Sequence, residues 1–170
     1  MSYFVILCEG RFSGMAIDLE EQYDKIYRYC YMRLRHPQAA EDITQETFLR
    51  FLENHTYREM GKQLGYLYRI AGNLCIDAVR RRREEPFSQR FPGETVEIAD
   101  ETSDHQEKLT LTASLEAAVQ SLEPREQELI FLRYVNELPV GTVAEILGIS
   151  RFAVYRKTQE CLKKLKKELS

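Results

Sequence analysis

The chain has 170 residues, of which 44% are hydrophobic and 30% are charged, and its formal net charge is −3. This composition is typical of a globular protein, and the length allows one large domain or two small ones. The apolar runs are too short for a bilayer-spanning helix and no signal peptide is recognisable, so we expect a cytoplasmic protein without membrane insertion. With eight glycines and five prolines, the chain is poor in the turn residues of an all-β fold.

The cysteines and histidines do not form a metal-binding pattern. Cys8, Cys30, Cys75 and Cys161 are scattered along the chain, away from the three histidines. A zinc site needs clustered ligands, so we expect no metal and reduced cysteines that pack as small hydrophobic residues. Paired carboxylates, nucleophile–base pairs and phosphate-binding glycine loops are also missing at usable spacing. We therefore expect a protein that is not an enzyme and needs no cofactor or small-molecule substrate.

Charge divides the sequence into three segments. Residues 1–83 carry 13 basic and 11 acidic side chains, and residues 108–170 carry ten basic and eight acidic ones. Between them, residues 84–107 carry one arginine and eight acidic side chains, a net charge of −7. This middle segment also contains two prolines and lacks helical periodicity. The pattern predicts an all-α fold of two small helical domains joined by an acidic linker.

The first domain is predicted to be a bundle of three helices. Apolar residues recur with a period of 3.6 residues from Leu19 to Leu34, and His36-Pro37 ends this helix because the residue before proline avoids the α region. Two more amphipathic helices are predicted over residues 37–53 and 64–83, with a loop between them. None of the three is stable alone, but together they bury a shared core.

The polar face of the second helix contains one anomalous leucine. Rotation by 100° per residue places Asp42, Gln45, Glu46 and Leu49 opposite the apolar stripe. Single exposed leucines are common on protein surfaces. A leucine framed by carboxylates is also typical of a docking site, which has an apolar centre and a charged rim. The pattern alone leaves both interpretations open.

The polar face of the third helix is rich in arginine. It presents Arg69, Asn73, Arg80 and Arg83, with Ile76 among them and Arg81 and Arg82 beside them. Cations at this end of a helix complement its macrodipole. Four successive arginines with one amide donor nevertheless favour a face that follows DNA phosphates.

The last part of the chain contains a helix-turn-helix pattern. After helices predicted near residues 103–121 and 124–136, Ala144, Gly148 and Val154 supply the small contact residue, the turn glycine and the β-branched anchor of this motif. Ser150 is positioned to cap the final helix, which begins at Arg151. The core of the helix over 124–136 is expected to come from its apolar residues: Leu129, Ile130, Leu132, Tyr134 and Val135.

Four stretches occur in the order found in one known family: AEDITQETFLRFL (40–52), YLYRIAGNLCIDAVRRRR (66–83), LEAAVQSLEPREQELIFLRYV (115–135) and VAEILGIS (143–150). With them, the chain resembles a bacterial RNA polymerase sigma factor of the extracytoplasmic-function (ECF) type. The resemblance implies a protein that directs core RNA polymerase to promoter DNA, and it adds an anti-sigma factor to the candidate partners. It places a polymerase-binding and minus-ten domain at 15–83 and a minus-thirty-five domain at 108–170, on either side of the acidic linker at 84–107. Residues 1–14 have no counterpart in the family and are expected to form an N-terminal extension.

The resemblance assigns roles to individual residues of this chain. The residues implied to bind core polymerase are Asp42, Gln45, Glu46 and Leu49. Those implied to contact minus-ten DNA are Tyr57, Arg58, Met60, Arg69, Asn73, Arg80, Arg81 and Arg83. Those implied to contact minus-thirty-five DNA are Ser150, Arg151, Phe152, Tyr155, Arg156, Lys157 and Gln159.

The chain also departs from the family pattern. Tyr66 stands where tryptophan is usual, and Gly72 stands where a larger residue is common, although a mid-helix glycine costs about 1 kcal/mol relative to alanine. Phe152 and Tyr155 replace the small and basic residues usual in the recognition helix. The alternative interpretation is a helix-turn-helix regulator that acts without polymerase, but it leaves the surroundings of Leu49 and the arginine face unexplained.

Overall fold

The computed structural model of the protein describes residues 19–53, 63–84 and 105–170. All regular elements in these ranges are helices, as predicted. In chain order they are α1 (Leu19–Leu34), α2 (Pro37–Glu53), α3 (Gln63–Glu84), α4 (His105–Gln120), α5 (Pro124–Ile130) with a π-helical turn (Phe131–Val135), α6 (Val140–Leu147) and α7 (Arg151–Glu168). They form two compact units, α1–α3 and α4–α7.

In the first unit, α1, α2 and α3 pack against one another around a shared core. The largest fully buried side chains include Tyr29 of α1 and Tyr68 of α3, whose rings meet edge to face with centroids 5.3 Å apart. Ala40 and Ala71 are fully buried as well, and small residues allow helices to approach closely. The core therefore combines large aromatic rings with small residues at the helix contacts.

The first helix ends at Leu34, just before His36-Pro37 as the sequence predicts, and a short connection leads to α2. Arg35 adopts a left-handed conformation with φ 51°, and its N–H donates to the Tyr31 carbonyl at 2.8 Å. His36 then accepts a hydrogen bond from the Ala39 N–H through Nδ1 at 3.1 Å, and Pro37 begins α2. The histidine thus caps α2, and the proline occupies the helical position that needs no N–H donor.

The three described cysteines, Cys30, Cys75 and Cys161, are buried free thiols, in agreement with the prediction of reduced residues in the core. Cys30 of α1 and Cys75 of α3 are hydrogen-bonded to each other. This bond holds the pKa of Cys30 below its ordinary value, against burial, which raises it. Cys8 lies outside the described residues.

Gly72 makes room for a buried tyrosine, which explains this departure from the family pattern. A Cβ atom at position 72 would lie 3.1 Å from the Tyr29 hydroxyl oxygen and 3.6 Å from Nη1 of Arg33. Tyr29 is 1% exposed, and its hydroxyl accepts a hydrogen bond from the Arg33 guanidinium, which also lies 5.3 Å from the centre of the Tyr29 ring. The glycine therefore admits the buried hydroxyl between α1 and α3.

Gly72→Ala is expected to lower the free energy of unfolding by about 1 kcal/mol, because crowding against the fixed ring outweighs the gain of about 1 kcal/mol in helix propensity. In the Tyr29→Phe background the crowded oxygen is absent, so the same substitution should stabilise the protein. Urea unfolding of the wild type, the two single variants and the double variant measures the coupling energy between positions 29 and 72. Equal effects of Gly72→Ala in both backgrounds would refute the assigned contact.

In the second unit, α5, α6 and α7 bury a core that contains Leu129, Leu132, Val143, Val154 and Cys161. The helix predicted over 124–136 ends in the π-helical turn, in which the Asn136 N–H donates to the Phe131 carbonyl at 3.0 Å. The prediction that Tyr134 and Val135 belong to the core is wrong, since these side chains are 50% and 46% exposed. The buried stripe runs through Leu129, Leu132 and Asn136 instead, and the wider π turn rotates Val135 away from it.

The predicted helix-turn-helix is confirmed. Gly148 has φ 65° and ψ 35°, the left-handed conformation that glycine adopts without strain. Ala144 is 7% exposed, Val154 is fully buried, and α6 packs against α7. The Ser150 hydroxyl oxygen accepts a hydrogen bond from the Ala153 N–H at 3.1 Å and caps α7.

An ion pair also joins α5 to α7. The Glu126 carboxylate accepts hydrogen bonds from Nζ of Lys164 at 2.6 Å and from the Glu123 N–H at 3.1 Å. The hydrogen bond to Lys164 lowers the pKa of Glu126 below its ordinary value of 4.5. The same bond raises the pKa of Lys164.

Glu126→Gln is expected to lower the melting temperature of the full chain by a few degrees at neutral pH, because it removes the charge and keeps the side-chain shape. A carboxylate with a lowered pKa stabilises the fold above its ordinary pKa, and this contribution is lost as the pH falls through the lowered value. The difference between the two proteins should therefore shrink below about pH 4.5. Circular dichroism melts at several pH values check this, and a difference that stays constant would contradict it.

Candidate polymerase- and DNA-binding surfaces

The packing of one side of α2 against the bundle determines which residues form its outer face. Ala40, Phe48 and Phe51 are buried against the bundle, together with Thr44 and Thr47. The two threonine hydroxyls donate to backbone carbonyls four residues earlier, at 2.7 and 2.6 Å, so these polar groups are satisfied inside the core. This arrangement fixes which residues of α2 point outward.

We call the outward residues Asp42, Gln45, Glu46 and Leu49 the leucine face. Leu49 is 43% exposed and Asp42 is exposed, while Gln45 and Glu46 are half-buried. Hydrogen bonds along the helix orient the rim: Gln38 donates to Asp42 at 3.1 Å, and Nε of Arg50 donates to Glu46 at 2.6 Å. An exposed pair of this kind contributes little stability. The face is therefore an apolar centre with acidic neighbours that can bind an apolar surface with basic groups.

The outer face of α3 is the predicted arginine face. Its exposed residues are Arg69, Asn73, Ile76, Arg80, Arg81 and Arg83. Arg80 forms an ion pair with Asp77 at 3.1 Å, and Ile76 is 55% exposed. Leu67, Ala71 and Cys75 occupy the opposite, buried side. Guanidinium groups on one helical side match the contacts that a phosphate backbone requires.

The residues Tyr57, Arg58 and Met60, predicted to contact minus-ten DNA, lie outside the described residues. The structure therefore describes one part of the predicted minus-ten set, the part on α3.

The N-terminal half of α7 brings together the residues predicted to contact minus-thirty-five DNA. All seven are exposed: Ser150, Arg151, Phe152, Tyr155, Arg156, Lys157 and Gln159. Val154, Thr158, Cys161 and Leu165 hold the other side of the helix in the core. Arg156 lies 3.8 Å from Glu160, a loose and exposed pair. This geometry leaves the outer side of α7 accessible to the edges of bases.

Gly141 lies close to the side chain of Arg151, a contact that the sequence does not predict. A Cβ atom at position 141 would lie 3.2 Å from Nη2 and 3.4 Å from Nε of Arg151. The guanidinium therefore lies beside the first turn of α6, where a residue larger than glycine would crowd it. The available signal was a glycine immediately after the start of a short helix.

Neither a metal-binding cluster nor a membrane-spanning helix is found in the part of the chain that the structure describes. No group of three or more histidine, cysteine or acidic residues there is arranged to hold a metal ion. Among the helices at 19–53, 63–84 and 105–170, none has both the length and the apolar character needed to cross a membrane.

Comparison with known proteins identifies the two units. Residues 19–85 match the family model Sigma-70 region 2, and residues 118–167 match Sigma-70 region 4. The chain is 37% identical to the ECF RNA polymerase sigma factor BldN of Streptomyces coelicolor over 142 residues, which are 80% of this chain and 53% of BldN. It is 30% identical to the ECF RNA polymerase sigma factor SigW of Bacillus subtilis, with 86% of this chain and 83% of SigW covered.

A solved structure supports the fold independently. The sigma factor RpoE of Bartonella quintana, crystallised with the anti-sigma factor NepR, superposes with a TM-score of 0.61 at 20% identity. The alignment covers 86% of this chain and 91% of RpoE. Fold, domain order and sequence identity agree, and the chain belongs to the ECF sigma factors of the sigma-70 family.

Proposed function

We propose that this protein binds core RNA polymerase through the leucine face and recognises promoter DNA through α3 and α7. The observation that carries the proposal is the pair of outward faces on one small bundle. On α2 an exposed leucine is rimmed by acidic groups, and on α3 arginines surround an amide and an isoleucine. Both faces point away from the bundle core, so the packing of the core does not account for them.

Each face fits a different surface of a transcription complex. The leucine face suits a protein surface with an apolar centre and basic groups, which in the family is the coiled coil of the clamp of the largest polymerase subunit. The arginine face suits the phosphates of the minus-ten DNA, and Asn73 adds a hydrogen-bonding amide. The exposed side of α7 suits the major groove of the minus-thirty-five element, which admits one α-helix.

The proposal includes the setting in which the protein acts. A subunit that binds polymerase and DNA acts in the cytoplasm, directs a reaction that polymerase catalyses, and needs no active site of its own. An anti-sigma factor is a further proposed partner, because ECF sigma factors commonly have one and because the RpoE structure contains NepR. The stand-alone regulator is not favoured, since region 2 spans residues 19–85 and such a regulator would not need it.

Run-off transcription with reconstituted components tests this function. Core polymerase with the full chain is expected to produce discrete transcripts from templates on which core alone produces none. Arg69→Ala with Asn73→Ala should reduce transcript yield while leaving the binding of the chain to core intact. If the full chain binds core normally but initiates on no template of a genomic library, the proposed promoter function is wrong.

A further inference from the structure

The recognition helix α7 exposes two large aromatic side chains on its outer surface. Phe152 is 76% exposed and Tyr155 is 59% exposed, although the opposite side of the helix is well buried. Phe152 cannot form hydrogen bonds, so water gives it no favourable polar contact in the free protein. The two rings lie three residues apart, which places them on one side of the helix.

Charged groups surround this aromatic pair. Arg151, Arg156 and Lys157 are exposed on the same half of α7, and the Arg151 guanidinium lies close to Gly141. Cations around an apolar centre fit a ligand with phosphates at its edge and an apolar group inside. In duplex DNA, the thymine C5-methyl is such an apolar group in the major groove, and Phe is among the side chains that contact it.

Resting on the proposed function, we infer that Phe152 and Tyr155 select thymine in the minus-thirty-five element by packing against its methyl groups. The N-terminal residues of a recognition helix are the ones that reach base edges, and Phe152 and Tyr155 lie within the first five residues of α7. The upstream promoter element of this protein is therefore expected to contain thymine opposite α7.

Removal of single methyl groups from DNA tests the inference. DNA duplexes with a randomised central segment are selected for binding to reconstituted holoenzyme. The block of bases contacted by α7 is the one whose protection in a footprint of the holoenzyme is lost when the chain carries Arg156→Ala. Each thymine in that block is then replaced by deoxyuridine, which lacks only the methyl group. Wild-type holoenzyme should lose about fourfold in affinity at one or two positions, the change expected for one methyl-sized group.

Phe152→Ala should weaken binding to the selected duplex about tenfold and abolish the sensitivity to deoxyuridine at one of these positions. Tyr155→Phe should retain the sensitivity, because the ring remains. Leu169→Ala is the matched control, since Leu169 is 43% exposed at the far end of the same unit and should have no effect. The exposure of Phe152 means that its truncation should leave the melting temperature unchanged.

The possible failures are distinguishable. If deoxyuridine has no effect while Arg156→Ala still weakens binding, or if the selected block lacks thymine, the methyl contact is wrong and the proposed function stands. If Phe152→Ala binds DNA normally but loses a protein partner, the aromatic pair is a protein-binding surface and the inference is overturned. If selection enriches no sequence, the proposed function fails together with the inference.

Discussion

Leu49→Asp is expected to weaken the binding of the protein to core RNA polymerase by about 30-fold or more, because it places a charge at the apolar centre of the leucine face. Leu49 is 43% exposed and points away from the bundle core, so the free energy of unfolding should change by less than about 1 kcal/mol. The measurement is a competition titration in which each variant displaces a labelled copy of the wild-type chain from core.

A matched control separates docking from a general effect of added charge. Leu169 is also 43% exposed, and Leu169→Asp should compete for core as the wild type does. Gln45→Ala with Glu46→Ala should weaken binding as well, and the effect of the lost Glu46 charge should diminish in high salt. If Leu49→Asp and Leu169→Asp compete equally well, the leucine face is not the docking site.

The leucine face was predictable because α2 follows a simple period. A rotation of 100° per residue places Leu49 on the side of α2 opposite its buried positions. The sequence of this one helix is therefore enough to predict which of its residues are exposed. Thr44 is the exception, since it is fully buried. A threonine whose hydroxyl bonds to the carbonyl of an earlier turn behaves as a small core residue, and this is not visible in a pattern that counts apolar residues.

Contacts between helices were not predictable in the same way. Gly72 is unusual for the family in sequence, but its reason is the Tyr29 hydroxyl on α1, more than 40 positions away. The π-helical turn is a similar case, because Phe131–Val135 looks helical and apolar in the sequence. Val135 was therefore expected in the core, whereas the hydrogen bond from Asn136 to Phe131 widens the turn and leaves it outside. Tyr134 lies about 200° from Leu132 even in a regular α-helix, so its assignment to the core was an error in applying the period.

The sequence predicted which of the proposed DNA-binding residues are exposed, but it did not predict which bases they would prefer. Arg151, Arg156 and Lys157 follow from the position of the helix-turn-helix, which Gly148 and Ser150 identify in the sequence. The orientation of the Arg151 side chain, which lies close to Gly141 of the neighbouring helix, is a feature of the folded structure. Base preference depends on such orientations, and a one-dimensional pattern does not contain them.

The free protein is expected to bind promoter DNA only in the micromolar range, about 10⁻⁶ M or weaker at physiological salt, as for non-specific binding. Residues 1–83 and 108–170 each carry a net charge of only +2, and residues 84–107 carry −7, which repels DNA phosphates. The cations that can contact DNA are thus two separate groups, on α3 and on α7, within a chain of net charge −3. Few phosphates can be neutralised at once, and affinity follows their number.

Core polymerase is expected to raise the affinity for promoter DNA by about 100-fold or more, because it holds both DNA-binding units at the promoter spacing and makes the second contact intramolecular. Gel shifts of the full chain with and without core, at two salt concentrations, measure this gain. Binding in the holoenzyme should also depend more steeply on salt, since more phosphates are contacted. Nanomolar and sequence-specific binding by the free chain would contradict this expectation and would favour a regulator that acts alone.

Two variants of α7 separate base contacts from phosphate contacts within the holoenzyme. Arg156→Ala should cost about 1–3 kcal/mol of binding free energy and relax the preference at one position if its guanidinium reads a guanine. Its exposed pair with Glu160, at 3.8 Å, is loose enough to be exchanged for a base. Lys157→Ala should instead weaken all sequences alike and reduce the salt dependence by the equivalent of one phosphate contact. The two assignments are reversed if Lys157→Ala changes the selected sequence and Arg156→Ala changes only the salt slope.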